Sequence, residues 1–432
     1  MIATLVIACI TFLCLLLAIL FLPSFKIGNI KIGTYWIVAL FGALALLICM
    51  LIPIDEVWFE LTSDNSINPL KILVLFFSMT FLSIFLDEVG LFRFLAKKAV
   101  KIAKTNQFSL FLILYLLTSV LTVFTSNDIV ILTLTPFICF FCKNTKINPI
   151  PYLVAEFAAA NTWSMMFIIG NPTNIYLATS AGINFLDYFL VMAIPTIVAG
   201  MVELLILFLL FFKQLKQSME VEEDEFVIES KVDLFVGIGH LAICLIFLII
   251  STYIGVEMWL VSAICAGSLL LFILVMRIIT GKNWSYLGKS LYRLPWQLIP
   301  FILSMFIIVI ALNYQGISNE IANFLGDKGV IWTYGYSSFG VANLINNIPM
   351  SILYSSITSS LSGSAYYDAV YATIIGSNIG AFLTPVGALA GIMFTGLVEQ
   401  NGVTYGYKKF ILYGVIIAIP TISAALAMLF IM

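Results

Sequence analysis

FSLFLILYLLTSVLTVFTSNDIVILTLTPFICFFC, Phe108 to Cys142, decides the fold. The stretch is apolar at both ends, too long for one simple membrane crossing, and broken in its middle by Thr125-Ser126-Asn127-Asp128. A helix needs about 20 apolar residues to cross roughly 30 Å of hydrocarbon. Polar side chains and irregular backbone are costly at that depth unless they line a cavity or pair inside protein. The pattern predicts a re-entrant hairpin over 108–142 that enters and leaves on one face. A second such stretch, 331–360, carries Asn343-Leu344-Ile345-Asn346-Asn347-Ile348-Pro349 at its centre and is read the same way.

Around the hairpins lie ten apolar stretches read as crossings, near 3–22, 33–54, 70–88, 148–180, 187–212, 232–252, 257–276, 295–313, 366–398 and 410–431. Only 10% of the 432 residues are charged and 62% are hydrophobic, with a mean hydropathy of +1.12. Soluble domains carry roughly a quarter charged residues. The fold class is therefore an all-α polytopic membrane protein. The opening MIATLVIACITFLCLLLAIL has no basic leader or small-residue cleavage site and reads as a first crossing helix. Cys139 and Cys142 form a lone CxxC inside an apolar segment, where free cysteine behaves as a small hydrophobe. His240 is the single histidine, so a histidine metal cluster is excluded.

Basic residues set the topology. If 23–32, 89–107, 143–147, 213–231, 277–294 and 399–409 are cytoplasmic, they hold 18 of the 20 Lys and Arg, leaving only Lys71 and Lys328 opposite. That asymmetry is expected of cytoplasmic loops, and it directs both termini outward in a bacterial-type inner membrane. Arg93 to Lys104 spaces bases between apolar residues at helical intervals and reads as an interfacial helix. Asp87 and Glu88, beside it, read as interfacial, and Arg293 as a snorkelling anchor. Met219 to Lys231 is a polar acidic linker, so the chain divides into 1–212, a cytoplasmic linker 213–231, and 232–432.

The two parts resemble one another. Phe76 to Phe92 aligns with Ile302 to Ser318, with Ser-Met followed by Gly at the same distance, Ser78 to Gly90 and Ser304 to Gly316. Each copy is succeeded by a broken hairpin and a long Gly- and Pro-interrupted segment. Five crossings plus one hairpin per half give an odd number of passes. The second copy must then enter inverted, the arrangement that exposes one site alternately to either side.

The interrupted segments carry Gly170-Asn171-Pro172-Thr173-Asn174 and Gly376-Ser377-Asn378-Ile379-Gly380, the latter followed by Thr384-Pro385-Val386-Gly387. Proline removes a donor and glycine permits backbone excursions. A helix broken there frees carbonyls for a cation and presents a half-helix N-terminus to an anion or polar solute. The candidate binding residues are Ser126, Asn127, Asp128, Gly170, Asn171, Pro172, Thr173, Asn174, Asn346, Asn347, Ser377, Asn378 and Thr384. Asp128 is the candidate for proton coupling, since a carboxylate at a hairpin tip must bind a cation, take a proton or pair. Glu156 and Glu203 require neutrality or a partner and stand outside the first set.

TSNDIVILTLTP (Thr125 to Pro136), AANTWSMMFIIGNPTNIYLA (Ala159 to Ala178), NLINNIP (Asn343 to Pro349) and GSNIGAFLTPVGALAG (Gly376 to Gly391) resemble the arsenical pump (ArsB/NhaD) branch of the ion transporter superfamily, and more distantly the divalent anion and citrate carriers. The resemblance covers almost the whole chain. It implies scaffold and transport domains of inverted repeats, often dimeric, moving as an elevator. Dicarboxylate carriers bear Ser-Asn-Thr at each tip, whereas this chain has Ser126-Asn127-Asp128 and Asn346-Asn347. A fixed carboxylate repels a polyanion unless protonated or shielded, and the Asn-Asp tip is closer to the arsenite-export branch.

The leading expectation is a secondary carrier of a small inorganic solute, a proton-coupled arsenite/antimonite-type extruder. A Na⁺/H⁺ antiporter and an anion or carboxylate carrier stay open, so the solute is a small oxyanion, a neutral arsenite-like molecule or a cation, with H⁺ or Na⁺ as coupling ion. No HExxH, catalytic carboxylate pair or Walker sequence supports an enzyme. No cofactor and no nucleic-acid partner is expected, and direct ATP use would need a separate subunit that the secondary mechanism does not require. A channel is disfavoured by the two closed-looking broken sites.

Overall fold

The structure is a computed structural model and describes residues 1–22, 24–27, 30–63, 68–217, 219, 230–251, 253–281 and 285–432. The first half runs α1 (Ile2–Phe21), a hairpin of β1 (Ser24–Ile27) and β2 (Ile30–Gly33), α2 (Thr34–Ile48), α3 (Ile54–Thr62), α4 (Pro69–Glu88), α5 (Leu91–Ala103), α6 (Gln107–Phe124), α7 (Asn127–Asn144), α8 (Ile150–Trp163), a 3₁₀ turn (Ile168–Gly170), α9 (Pro172–Ser180) and α10 (Phe185–Leu215). The second runs α11 (Lys231–Ile250), α12 (Met258–Thr280), α13 (Ser285–Arg293), α14 (Leu298–Tyr314), α15 (Ile317–Leu325), α16 (Val330–Ile345), α17 (Asn347–Thr358), α18 (Ser364–Gly380), α19 (Leu389–Gln400) and α20 (Tyr407–Ile431).

Among the described residues, eight helices are long and apolar enough to cross a membrane, and Thr34–Ile48 is a shorter apolar one. One of the eight is α6, the first arm of the stretch read as a re-entrant hairpin. Both hairpins break where the sequence placed the tips, at 125–126 and at Asn346. The two interrupted segments break at 164–171 and 381–388. Helix α10 continues through Leu215, so the stretch read as a linker from 213 starts helical. Most of its acidic run, 220–229, lies outside the described residues.

The element order repeats from one half to the other. Gly90 (φ 94°) turns α4 into the amphipathic α5, and Gly316 (φ 75°) turns α14 into α15 at the matching position. Only glycine takes that left-handed conformation without steric cost. Packing repeats with the halves exchanged. Helix α6 lies on α8 as α16 lies on α18, and α2 meets α14 as α12 meets α4. The returning arm α7 packs on α19, and its counterpart α17 packs on α9.

Burial sorts the helices into two layers. In α8 and α18 every residue of Pro151–Thr162 and Ala369–Gly380 is buried. In α11 only Asp233 and a stripe at helical spacing are, Leu234, Gly237, Leu241, Cys244 and Leu248, with large apolar side chains left outward where lipid replaces water. Small residues let the inner helices touch. A Cβ on Gly376 of α18 would collide with the Ser338 hydroxyl and the Gly335 carbonyl of α16, the close approach that membrane helices use where no hydrophobic drive acts between them.

Glu156 and Glu203 have partners. Glu156 is met by the Thr135 hydroxyl at 3.1 and 3.0 Å. Glu203 is met by the Thr162 and Tyr115 hydroxyls, tying α10 to α8 and α6. Arg293 is not a lone snorkelling anchor: its Nη1 holds Asp87 Oδ2 at 2.7 Å and Glu88 Oε1 at 2.5 Å, joining the end of α13 to the end of α4.

Candidate functional site

Polar side chains converge where the broken elements meet. Asn378 is the hub. Its Oδ1 accepts from Ser164 Oγ (2.8 Å) and Asn171 Nδ2 (2.9 Å), while its Nδ2 donates to Asn174 Oδ1 (2.6 Å) and to the Ile374 carbonyl (2.8 Å). The two interrupted segments, one from each half, are thereby joined. Asn171 also caps α9, accepting from Thr173 N and Oγ1, with Pro172 at the first helical position, where its missing N–H costs nothing. Gly170 packs on the Ser164 backbone so closely that a Cβ would strike its carbonyl.

The second tip is fastened to the break beside it. Asn346 Nδ2 donates to the Val386 carbonyl (3.0 Å), Asn347 N to the Gly387 carbonyl (3.0 Å) and Thr384 Oγ1 to Asn343 Oδ1 (2.7 Å). Asn346 holds φ 75° there, a conformation rare outside glycine. These predicted site residues thus spend polar groups on the protein itself.

The first tip is different. Asn127 Nδ2 donates to Asn161 Oδ1 (3.2 Å), but Asn127 Oδ1 and Ser126 Oγ are buried without a hydrogen-bond partner, as is Ser377 Oγ in α18. Asp128 opens into a cavity of about 500 Å³ whose wall includes Ser126, Tyr35, Thr80, Gln297, Met393 and Gln400. No hydrogen bond or ion pair reaches the Asp128 carboxylate from the described residues. Buried polar groups are nearly always paired; here Asp128 faces a space large enough for a small solute, with the unpaired atoms of Ser126 and Asn127 packed beside it.

A counterpart of this cavity exists in the exchanged position. Ile72, Pro172, Tyr176, Ile348 and Ile352 line a space of only about 20 Å³. Their matching residues in the other half, Leu298, Leu389, Met393, Asp128 and Leu132, line the large one. One cavity is open and its twin is closed.

Sequence reasoning did not select Asn161, Ser164 or Asn343, although all three sit inside the quoted motifs as polar residues in apolar runs. It could not reach Tyr35, Gln297 or Gln400, which come to the cavity from distant elements. No group of His, Cys, Asp and Glu able to hold a metal occurs among the described residues.

A polar core held between broken helices, beside a space of about 500 Å³, occurs here in a chain whose family and relatives are secondary membrane transporters. The chain is a member of the citrate transporter (CitMHS) family, matched over residues 30–370. It is similar to the arsenical pump membrane protein of Escherichia coli K12, 27% identical over 82% of this chain and 84% of that one. It is likewise similar to a putative arsenical pump membrane protein of Bacillus subtilis 168, 24% identical over 91% and 93%. The solved structure of the Alcanivorax borkumensis YdaH transporter shares the fold at a TM-score of 0.57 and 14% identity, over 99% of this chain and 97% of that one.

Proposed function

We propose that the chain extrudes a small neutral oxyacid of the arsenite or antimonite type across the bacterial inner membrane in exchange for protons, with both termini outside. The observation that carries this reading is the Asp128 carboxylate, which faces the large cavity and has no partner among the described residues. A neutral trihydroxy solute donates to such a carboxylate and accepts from the hydroxyl of the neighbouring Ser126, whereas a citrate trianion meets repulsion. The relatives named as arsenical pumps support the same solute class.

Protonation of Asp128 from outside and its release inside would couple one proton to each reorientation of the site. A sodium/proton exchanger would use the same carboxylate without an oxyacid. Transport in sealed proteoliposomes under an imposed pH gradient separates the readings when arsenite, citrate and Na⁺ are compared. Arsenite movement driven by the gradient and lost in Asp128→Asn is expected. Citrate or Na⁺ movement without arsenite would overturn the assignment.

A further inference from the structure

A second cavity, of about 530 Å³, adjoins the one that holds Asp128. The two share Leu132 and Arg293 in their walls. One face of α7 runs through both, with Asp128 in the first, Leu132 in each, and Pro136 and Phe140 in the second, a spacing of four residues that keeps them on one helical side. Arg93 and Glu88 line the far end, beside the basic loop 89–107.

Arg293, which stands in both walls, engages Asp87 and Glu88 through Nη1, so the edge formed by Nε and Nη2 has no hydrogen-bond partner among the described residues. Asp87 lines the second cavity only, and its Oδ1 has almost no accessible surface. The unspent polar group of the shared wall is thus the guanidinium edge.

We infer that Arg293, with Leu132 beside it, is a second binding station, which takes a small oxyacid on its way between the basic-loop face and Asp128. Its guanidinium edge donates to the solute's oxygens. A polycarboxylate that reaches this edge also meets the carboxylates of Asp87 and Glu88. The solute class rests on the proposed function, but the station is tested by binding alone.

The full chain carrying Leu132→Cys is reconstituted in vesicles and labelled with a membrane-impermeant maleimide from the basic-loop face, with the unsubstituted chain as background. Boric acid and phosphate serve as probes, since neither captures thiols as arsenite does. Labelling slowed about tenfold at saturating probe, and not slowed when Arg293→Gln is added, is the expected result. An unreactive Leu132→Cys, no slowing by either probe, or slowing that persists with Arg293→Gln overturns the station. Protection by a probe in a chain that moves no arsenite would overturn the proposed function and leave the station standing.

Discussion

In front of the first hairpin tip the protein leaves about 500 Å³; in front of the second it leaves about 20 Å³. Both spaces are walled by matching positions of two halves that pack alike. The difference lies in what each tip does with its polar atoms. At the second, Asn346, Asn347 and Thr384 bind the adjoining break or the arm leading to the tip. At the first, Ser126 Oγ, Asn127 Oδ1 and Asp128 remain without protein partners. An unpaired buried polar group costs about 1–3 kcal/mol, and a chain selected for stability alone would not keep several together. Departure from repetition puts a carboxylate at one tip only, since Asp128 matches Ile348.

The largest expected effect comes from erasing that departure. Asp128→Asn keeps size and hydrogen bonding but removes the titrating group. Flux of arsenite driven by a pH gradient is expected to fall to background, with the unfolding midpoint unchanged; flux that still follows the gradient would place coupling elsewhere. Copying the departure into the closed half is next. Ile348→Asp sets a carboxylate against Pro172, Ile302 and Ile352 with no partner, a burial that costs several kcal/mol. Thermal unfolding in detergent should drop steeply, and near-normal stability would mean the second cavity is wet. A milder probe compares access. Leu132→Cys, in the open cavity, should react with a soluble maleimide at least about tenfold faster than Ile352→Cys at the matching position, a difference of about 1.4 kcal/mol in access. Equal rates would show that the two cavities interchange freely without solute.

Most of the architecture was legible because the bilayer is a demanding solvent. Where 108–142 and 331–360 were apolar but broken by polar residues, irregular backbone inside protein was the available solution, and the helices break there. The spacing from Ser78 to Gly90 and from Ser304 to Gly316 marked turns that glycine alone makes easily. Short pieces escaped. Helices α3, α13 and α15 are nine residues each, and the strands over Ser24–Gly33 are shorter still. The pairing of Arg293 with Glu88 spans 205 residues, and nothing local announces it. For the site, residue type pointed to the breaks but could not divide their polar groups into those that bond within the protein and those with no hydrogen-bond partner among the described residues. Thr384 and Asn346, read as binding residues, bond to Asn343 and to the Val386 carbonyl, partners that residue type does not announce.

That division yields the smallest effect and the finest test. Asn346→Ala removes the bond to the Val386 carbonyl and leaves a non-glycine residue at φ 75°, so it should cost about 1–3 kcal/mol of unfolding free energy. Asn346→Gly loses the same bond but relieves the backbone, and should cost less. Ser126→Ala, at the matching position of the first tip, removes a hydroxyl that bonds nothing in the protein. Its unfolding free energy should stay within about 0.5 kcal/mol of the parent or rise, while the half-saturating arsenite concentration increases. A stability loss at Ser126 equal to that at Asn346 would mean that both tips are fastened alike, and the contrast between a holding tip and a binding tip would be lost.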